Sequence, residues 1–193
     1  TCYVCGKQLD KAEKEYCYDC KSKTKSFVRN YSAFQYEDHM RKSMYGFKYN
    51  NKREYAEFYV QAILERYETV LKQHNFDAII PVPIHKNKAK KRGYNQAEVL
   101  AKELSKALEV PMLTDYLLRV VDTTPQKELN DKEREKNLKR AFQLSKNRVK
   151  LKKVIVVDDI YTTGSTIDEI STVLKEHGVQ QIYFVTLACG EGI

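Results

Sequence analysis

Residues 154–166 read Val-Ile-Val-Val-Asp-Asp-Ile-Tyr-Thr-Thr-Gly-Ser-Thr. The apolar, mostly β-branched run that opens this stretch makes a short strand with no polar face, the kind a parallel sheet buries on both sides. It delivers two carboxylates, Asp158 and Asp159, at its C-terminal end. A turn of small hydroxyl residues with one glycine follows, and a helix starts at Ser165. In an open α/β sheet, ligands bind at that edge of the strands. Backbone N–H groups of residues 162–166 then point at an anion, helped by the helix N-terminus. Gly164 permits close approach, and the Thr and Ser hydroxyls add donors. The two acids repel a phosphate and suit what lies beside it, a ribose diol or a magnesium ion. Phosphate, diol and magnesium together describe a phosphorylated ribose. The plainer alternative is a solvated turn capped by two acids, and only the full length of the pattern argues against it.

The flanking sequence extends this into an α/β reading. Residues 165–177 are helical, with Ile167, Ile170 and Leu174 on one face and Gly178 as the stop. Residues 181–189 (QIYFVTLAC) form another buried strand. Upstream, DAIIPVP at 77–83 is a strand stopped by Pro81 and Pro83. Asn95 and Glu98 fit a capping box, opening a helix that buries Ala97, Leu100, Ala101, Leu104 and Leu108. Val60, Ile63, Leu64, Tyr67 and Leu71 keep a helical period, as do Met40, Met44 and Phe47. Residues 113–120 are strand-like, and 122–140 are polar with one short helix expected. Alternating elements of this kind predict an α/β fold with a mostly parallel sheet flanked by helices.

A second signal lies at the N-terminus. Cys2-x2-Cys5-x11-Cys17-x2-Cys20 resembles a four-thiolate zinc ribbon. A closed tetrahedral shell leaves no open position, so such a zinc is structural. Residues 1–25 hold few apolar side chains, and metal binding would supply much of their folding free energy. Two disulfides are the alternative. The odd fifth cysteine and the absence of an export signal in TCYVCGKQLDKAEKEY argue against them. Cys189, in an apolar run, reads as a small buried hydrophobe. The expected division is a zinc ribbon over 1–30 and a larger α/β domain over 31–193.

Composition closes off other classes. Of 193 residues, 42% are hydrophobic and 31% charged, with 7 Gly and 4 Pro, which excludes disordered and collagenous chains. No run approaches the roughly 18 apolar residues of a membrane helix, so no direct membrane insertion is expected. The net charge is +8, and residues 86–92 and 127–153 carry more than all of it. Concentrated basic charge suggests a polyanion partner, although a merely solubilising surface also clusters charge.

Residues 154–166 resemble the 5-phosphoribosyl-1-pyrophosphate (PRPP) motif of type I phosphoribosyltransferases. In that family the Thr-Gly loop holds the 5-phosphate and the acids hold the ribose hydroxyls. The resemblance thus implies phosphate contacts at Thr162, Thr163, Gly164, Ser165 and Thr166, with Asp158 and Asp159 on the diol and magnesium. Pro81-Val82-Pro83, Arg92-Gly-Tyr-Asn-Gln-Ala97 and Gln126-x2-Leu129-x4-Arg134-x2-Asn137-x3-Ala141-Phe142 are similar to the signature of the ComF family. An N-terminal four-cysteine ribbon also belongs to it, so the chain is identified as a member of the ComF/ComFC family of competence proteins. The resemblance implies a part in natural transformation, acting on incoming single-stranded DNA beside a ComFA-type helicase that docks through the zinc ribbon. It further implies a cytoplasmic protein, reaching the inner face of the membrane only through partners. An active phosphoribosyltransferase using PRPP on an acceptor that no motif names is the alternative.

Individual residues take roles on this footing. Val82 and Pro83 stand where the family forms its pyrophosphate loop. Arg92, beside Gly93 at an expected helix start, is the favoured anion ligand there. Lys86, Lys88, Lys90, Lys91 and Arg92 form a basic loop that would contact DNA phosphates, and Arg134 and Arg140 in the polar 122–140 segment would close over pyrophosphate or DNA. Asn95 is better explained as a helix cap than as a ligand. Tyr94 and Tyr161, in the two anion loops, offer faces on which a base can stack.

Overall fold

The computed structural model describes residues 1–11, 13–121, 141–146 and 149–190. Its centre is a sheet of four parallel strands in the order β1–β6–β5–β2. These are β1 (Arg29–Gln35), β2 (Ala78–Pro81), β5 (Lys153–Tyr161) and β6 (Gln181–Cys189). Ile79 makes a further parallel bridge to Met112 on the outer side of β2. Two short strands, β3 (Leu117–Arg119) and β4 (Phe142–Leu144), pair antiparallel beside it. The expected strand at 113–120 therefore shortens to the three residues that find a partner.

β5 is interior to the sheet, which explains its unbroken apolar run: Val154, Ile155, Val156 and Val157 are all buried. Alternate residues serve two cores. On one face Ile155 and Val157 join Tyr183, Val185 and Leu187 against three helices. These are α2 (Asp38–Tyr49), α3 (Tyr55–Gln73) and α5 (Gln96–Leu108), which contribute Met44, Phe47, Val60, Ile63, Leu100 and Leu104. The helical periods read in the sequence are the stripes buried here. On the other face Val154, Val156, Ile182 and Phe184 meet Ile167, Ile170 and Leu174 of α6 (Ser165–Glu176). At roughly 1.5–3 kcal/mol per fully buried aliphatic or aromatic side chain, these two layers supply most of the drive to fold.

The cysteine segment covers part of the second face. Cys2 and Cys5 are each 1% exposed and belong to the same core as Phe27, Phe184 and Cys189. Val4 carbonyl accepts from the Asn30 backbone, and the Asn30 side chain donates to Cys5 carbonyl at 2.9 Å and Thr186 Oγ1 at 3.0 Å. Lys25 Nζ, nearly buried, lies 3.0 Å from Asp168 Oδ2 in the first turn of α6. The short helix α1 (Tyr18–Ser22) carries Cys20. Cys2, Val4, Cys5, Leu9, Cys17, Cys20 and Phe27 are thus packed into the core of that face, and β1 begins at Arg29.

One segment differs in type. Residues 86–92, expected as a basic loop, form the short helix α4 (Lys86–Arg92). His85 Nδ1 accepts from Asn87 N at its start, and Gly93, at φ 78°, closes it in the left-handed conformation. A cap at each end supports a helix that has no apolar stripe to announce it.

Candidate phosphoribose site at the strand edge

The C-terminal ends of β2 and β5 lie side by side, with Pro81 opposite Val157. Past them run two loops. The β5–α6 turn holds Thr162, Thr163 and Gly164, and Gly164 is the residue before α6 at φ 84°. A Cβ built there would meet Tyr161 Oη at 2.6 Å, so only glycine lets the backbone sit on that ring. Thr163 Oγ1 lies 2.9 Å from Ser165 Oγ, which gathers the loop hydroxyls at the positive end of a 12-residue helix. Thr162 and Thr166 are half-buried beside them. Thr162, Thr163, Gly164, Ser165 and Thr166 are therefore brought together as one turn.

The loop after β2 is held from inside. Val82 is buried; its N–H donates to Val157 carbonyl at 2.8 Å, and its carbonyl accepts from Asn95 Nδ2 at 3.0 Å. Val82 fixes the strand end, while Pro83 stands half-exposed after it. Asn95 also caps α5, accepting from Ala97 N at 3.1 Å, so one side chain joins the helix start to the loop.

The acid pair has a cation that the sequence reading passed over. Lys48, in the last turn of α2, places Nζ 2.6 Å from Asp159 Oδ2, with both side chains about four-fifths buried. Burial pulls the Lys48 ammonium down, but the Asp159 and Asp158 carboxylates outweigh it and hold its pKa above the usual lysine value. The signal was present: Lys48 follows the buried Met44 by four residues and so lies on the same helix stripe. A cation on a core-facing stripe requires a buried anion. Asp158 Oδ1 accepts from Asp159 N at 2.8 Å. Burial first, and the neighbouring Asp159 charge second, push the Asp158 carboxyl up to about 7, against weaker pulls from the Asp159 N–H hydrogen bond, then Lys48 and Arg119. Such a carboxyl exchanges its proton readily for a metal ion or a hydroxyl donor near neutral pH. This donor set fits a magnesium-bound ribose phosphate: acid oxygens beside a turn of hydroxyls at a helix N-terminus.

Arg92 is the last residue of α4, at a helix end instead of the expected helix start. Its guanidinium donates to Gln96 Oε1 at 3.1 Å and to Tyr49 Oη at 3.2 Å. Gln96, 1% exposed, also donates to Lys48 carbonyl at 3.4 Å, so it ties Arg92 to the end of α2. Lys86, Lys90 and Lys91 are exposed on α4 and Lys88 is half-buried. Arg134 and Arg140 lie outside the described residues.

Of the two tyrosines expected to offer stacking faces, Tyr161 is buried and Tyr94 is partly covered. Tyr161 is 3% exposed, beneath Gly164 and edge-on to Phe27. Tyr94 donates its hydroxyl to Phe47 carbonyl, and Arg53 covers its ring at 4.5 Å.

At the N-terminus the Sγ atoms of Cys2, Cys5, Cys17 and Cys20 all lie within 4.8 Å of one another, and Cys5 and Cys17 are 3.7 Å apart. Sulfurs bound tetrahedrally at about 2.3 Å to one zinc stand roughly 3.8 Å apart, so the cluster fits a four-thiolate metal site. Hydrogen bonding from Cys189 and then Cys20 pulls the Cys5 thiol far below its ordinary range, while burial raises Cys17. The fifth cysteine is fully buried and donates to Cys5 carbonyl at 3.4 Å; it is more than inert filling.

Comparison with known proteins places these features together. The phosphoribosyl transferase domain family matches residues 91–191. Competence protein F of Haemophilus influenzae (strain ATCC 51907 / DSM 11121 / KW20 / Rd) is 34% identical, over 97% of this chain and 83% of that protein. DNA utilization protein YhgH of Escherichia coli (strain K12) is 34% identical over 55% of this chain and 46% of its own length. Competence protein ComFC of Bacillus subtilis (strain 168) is 24% identical over 92% of this chain and 72% of that protein. Among solved structures, the purine phosphoribosyltransferase from Pyrococcus horikoshii Ot3 aligns with a TM-score of 0.45 and 19% identity, over 68% of this chain and 74% of the other. With the strand–loop–helix turn, the acid pair and the four-cysteine cluster in place, the chain belongs to the competence protein F/ComFC family, built on a phosphoribosyl transferase domain.

Proposed function

We propose that this protein acts in natural competence by handling single-stranded DNA, with its phosphoribosyl transferase site holding a PRPP-like phosphoribosyl ligand. The observation that carries this is the 34% identity to a competence protein along 97% of the chain. Lys86, Lys90 and Lys91, exposed on one short helix beside the site, support a polyanion partner. In this reading Thr162–Thr166 hold the 5-phosphate, and Asp158 and Asp159 hold the diol and a magnesium ion. Lys48 holds the Asp159 carboxylate in position until that ligand arrives. Zinc is the ion of the four-cysteine cluster. A ComFA-type helicase docks on the cysteine segment, where Tyr16 and Tyr18 are exposed. The protein works in the cytoplasm and reaches the membrane through such partners; among the described residues no helix is long and apolar enough to cross one.

A second reading, an active phosphoribosyltransferase, is favoured by the intact acid pair and loop, which a site without sugar phosphate does not need. One experiment separates the two. Anisotropy of a labelled single strand is followed over a salt series, with and without PRPP and magnesium, and free PRPP is assayed for pyrophosphate release with candidate bases. A log–log salt slope of about −0.7 per phosphate contact, with no release, supports DNA handling. Salt-independent or absent binding removes it, and pyrophosphate release establishes the enzyme.

A further inference from the structure

Along α2, Arg41, Tyr45 and Tyr49 recur every four residues and so share one face, spanning about 12 Å of helix. Tyr45 is 59% exposed and Tyr49 53%. Singly exposed tyrosines need no explanation. These two are neighbours, with ring centroids 4.8 Å apart and planes splayed by 44°, so ring surface stays open to solvent. The Arg92 guanidinium lies 5.1 Å over Tyr49 and hydrogen-bonds its hydroxyl. That contact seats α4 against the ridge. From His39 to Tyr49 and from Lys86 to Arg92 the chain contains no Asp or Glu. The rings thus neighbour exposed Arg41 and Lys42 on their own helix, and α4, joined to the ridge through Arg92, adds the exposed Lys86, Lys90 and Lys91. The residue before Tyr49 is Lys48, whose side chain turns inward to Asp159, so the ridge borders the phosphoribose site.

We propose that this ridge is a single-strand platform, in which unpaired bases stack on Tyr45 and Tyr49 while the backbone phosphates lie along α4. The inference rests on the single-strand reading above and names the surface that performs it. Aromatic faces accept any unpaired base, and lysines on a helix accept phosphates without reading sequence. A duplex hides its base faces and would gain only the electrostatic part. Tyr161 is buried and cannot take this role, and Arg53 already lies over the ring of Tyr94.

The test uses the full chain with its metal and two labelled strands of equal length, an oligothymidylate and an abasic strand. Wild type should bind the oligothymidylate more tightly. Tyr45→Ala with Tyr49→Ala should lose at least roughly thirtyfold on it, at about 1 kcal/mol or more per stacked base, and bind the abasic strand as wild type does. Tyr45→Phe with Tyr49→Phe should keep the affinity, because stacking needs the ring and not the hydroxyl. Lys86→Ala, Lys90→Ala and Lys91→Ala together should instead weaken both strands and flatten the salt slope by about two. If the alanine pair binds the oligothymidylate as wild type does, or wild type binds both strands alike, the platform is overturned while single-strand binding stands. If wild type binds neither strand, both fall.

Discussion

Asp158→Asn should stabilise the unliganded protein above neutral pH while weakening its hold on a magnesium-bound sugar phosphate. The carboxyl sits at about 7 in the fold, against 3.8 for a free side chain. Below about pH 4 it is protonated in folded and unfolded chains alike. Between about 4 and 7 the unfolded chain releases the proton and the fold retains it, so stability falls as pH rises. Above 7 the fold also ionises, and the loss levels off. The gap corresponds to roughly 4 kcal/mol. Asp158 keeps some solvent contact and shares its field with Asp159, so about half of that, near 2 kcal/mol, is the expected gain on substitution. Asn keeps the oxygen that accepts from Asp159 N, so the turn is preserved. Thermal unfolding at pH 4 and pH 8 measures it. The two proteins should be alike at pH 4, and at pH 8 the variant should melt about 4–8 °C higher. A variant no more stable at pH 8, or a wild type that gains stability between pH 4 and 7 relative to the variant, would refute the reasoning.

Cys17→Ser should lower the content of bound metal and destabilise the whole chain in a single transition, because the cysteine segment shares its core with Phe184 and Cys189. Two separated melts, with the second at the wild-type temperature, would contradict it. Gly164→Ala should abolish inorganic phosphate binding, since the added methyl meets Tyr161 Oη; calorimetry on Gly164→Ala with and without Tyr161→Phe should show little recovery, as the left-handed backbone strain persists. Lys48→Met should cost about 2 kcal/mol by stranding a mostly buried Asp159 carboxylate, and adding Asp159→Asn should restore most of it. A denaturant midpoint unchanged in Lys48→Met would show that the pair is solvated.

What the sequence exposed and what it hid divide along range of interaction. The β5 run, the Gly164 turn, the α6 stripe and the Asn95 cap are each encoded within a few residues, so local pattern suffices to read them. The helix over Lys86–Arg92 has no apolar period, and its caps, His85 and Gly93, do not look like helix signals among so many lysines. Tyr161 read as a loop residue because the strand was expected to end at the acids; pairing with Cys189 carries the strand two residues further and buries the Tyr161 ring. Lys48 and Asp159 lie more than a hundred residues apart in sequence, and only the packing of α2 over β5 joins them. The docking of the cysteine segment on β1 and β6 is likewise tertiary: few apolar residues in 1–25 suggested a module standing apart, whereas its thiols are themselves the apolar contact.

The strand order has a consequence for how the chain is made. β6 lies between β1 and β5, and Arg29 at the start of β1 pairs with Tyr183. A ribosome therefore releases β1, the cysteines and the helices of one face long before the strand that holds them emerges. Until residues 181–189 clear the exit tunnel, the hydrogen-bonding edges of β1 and β5 face each other across a gap of one strand width, and Phe184's place in the core is empty. Closing so long a loop is slow. Capture of a metal by Cys2, Cys5, Cys17 and Cys20 lies outside the stretch from Arg29 to Tyr183 and leaves that closure as long as before, so the cysteine segment gains its seat in the core only when Phe184 and Cys189 arrive.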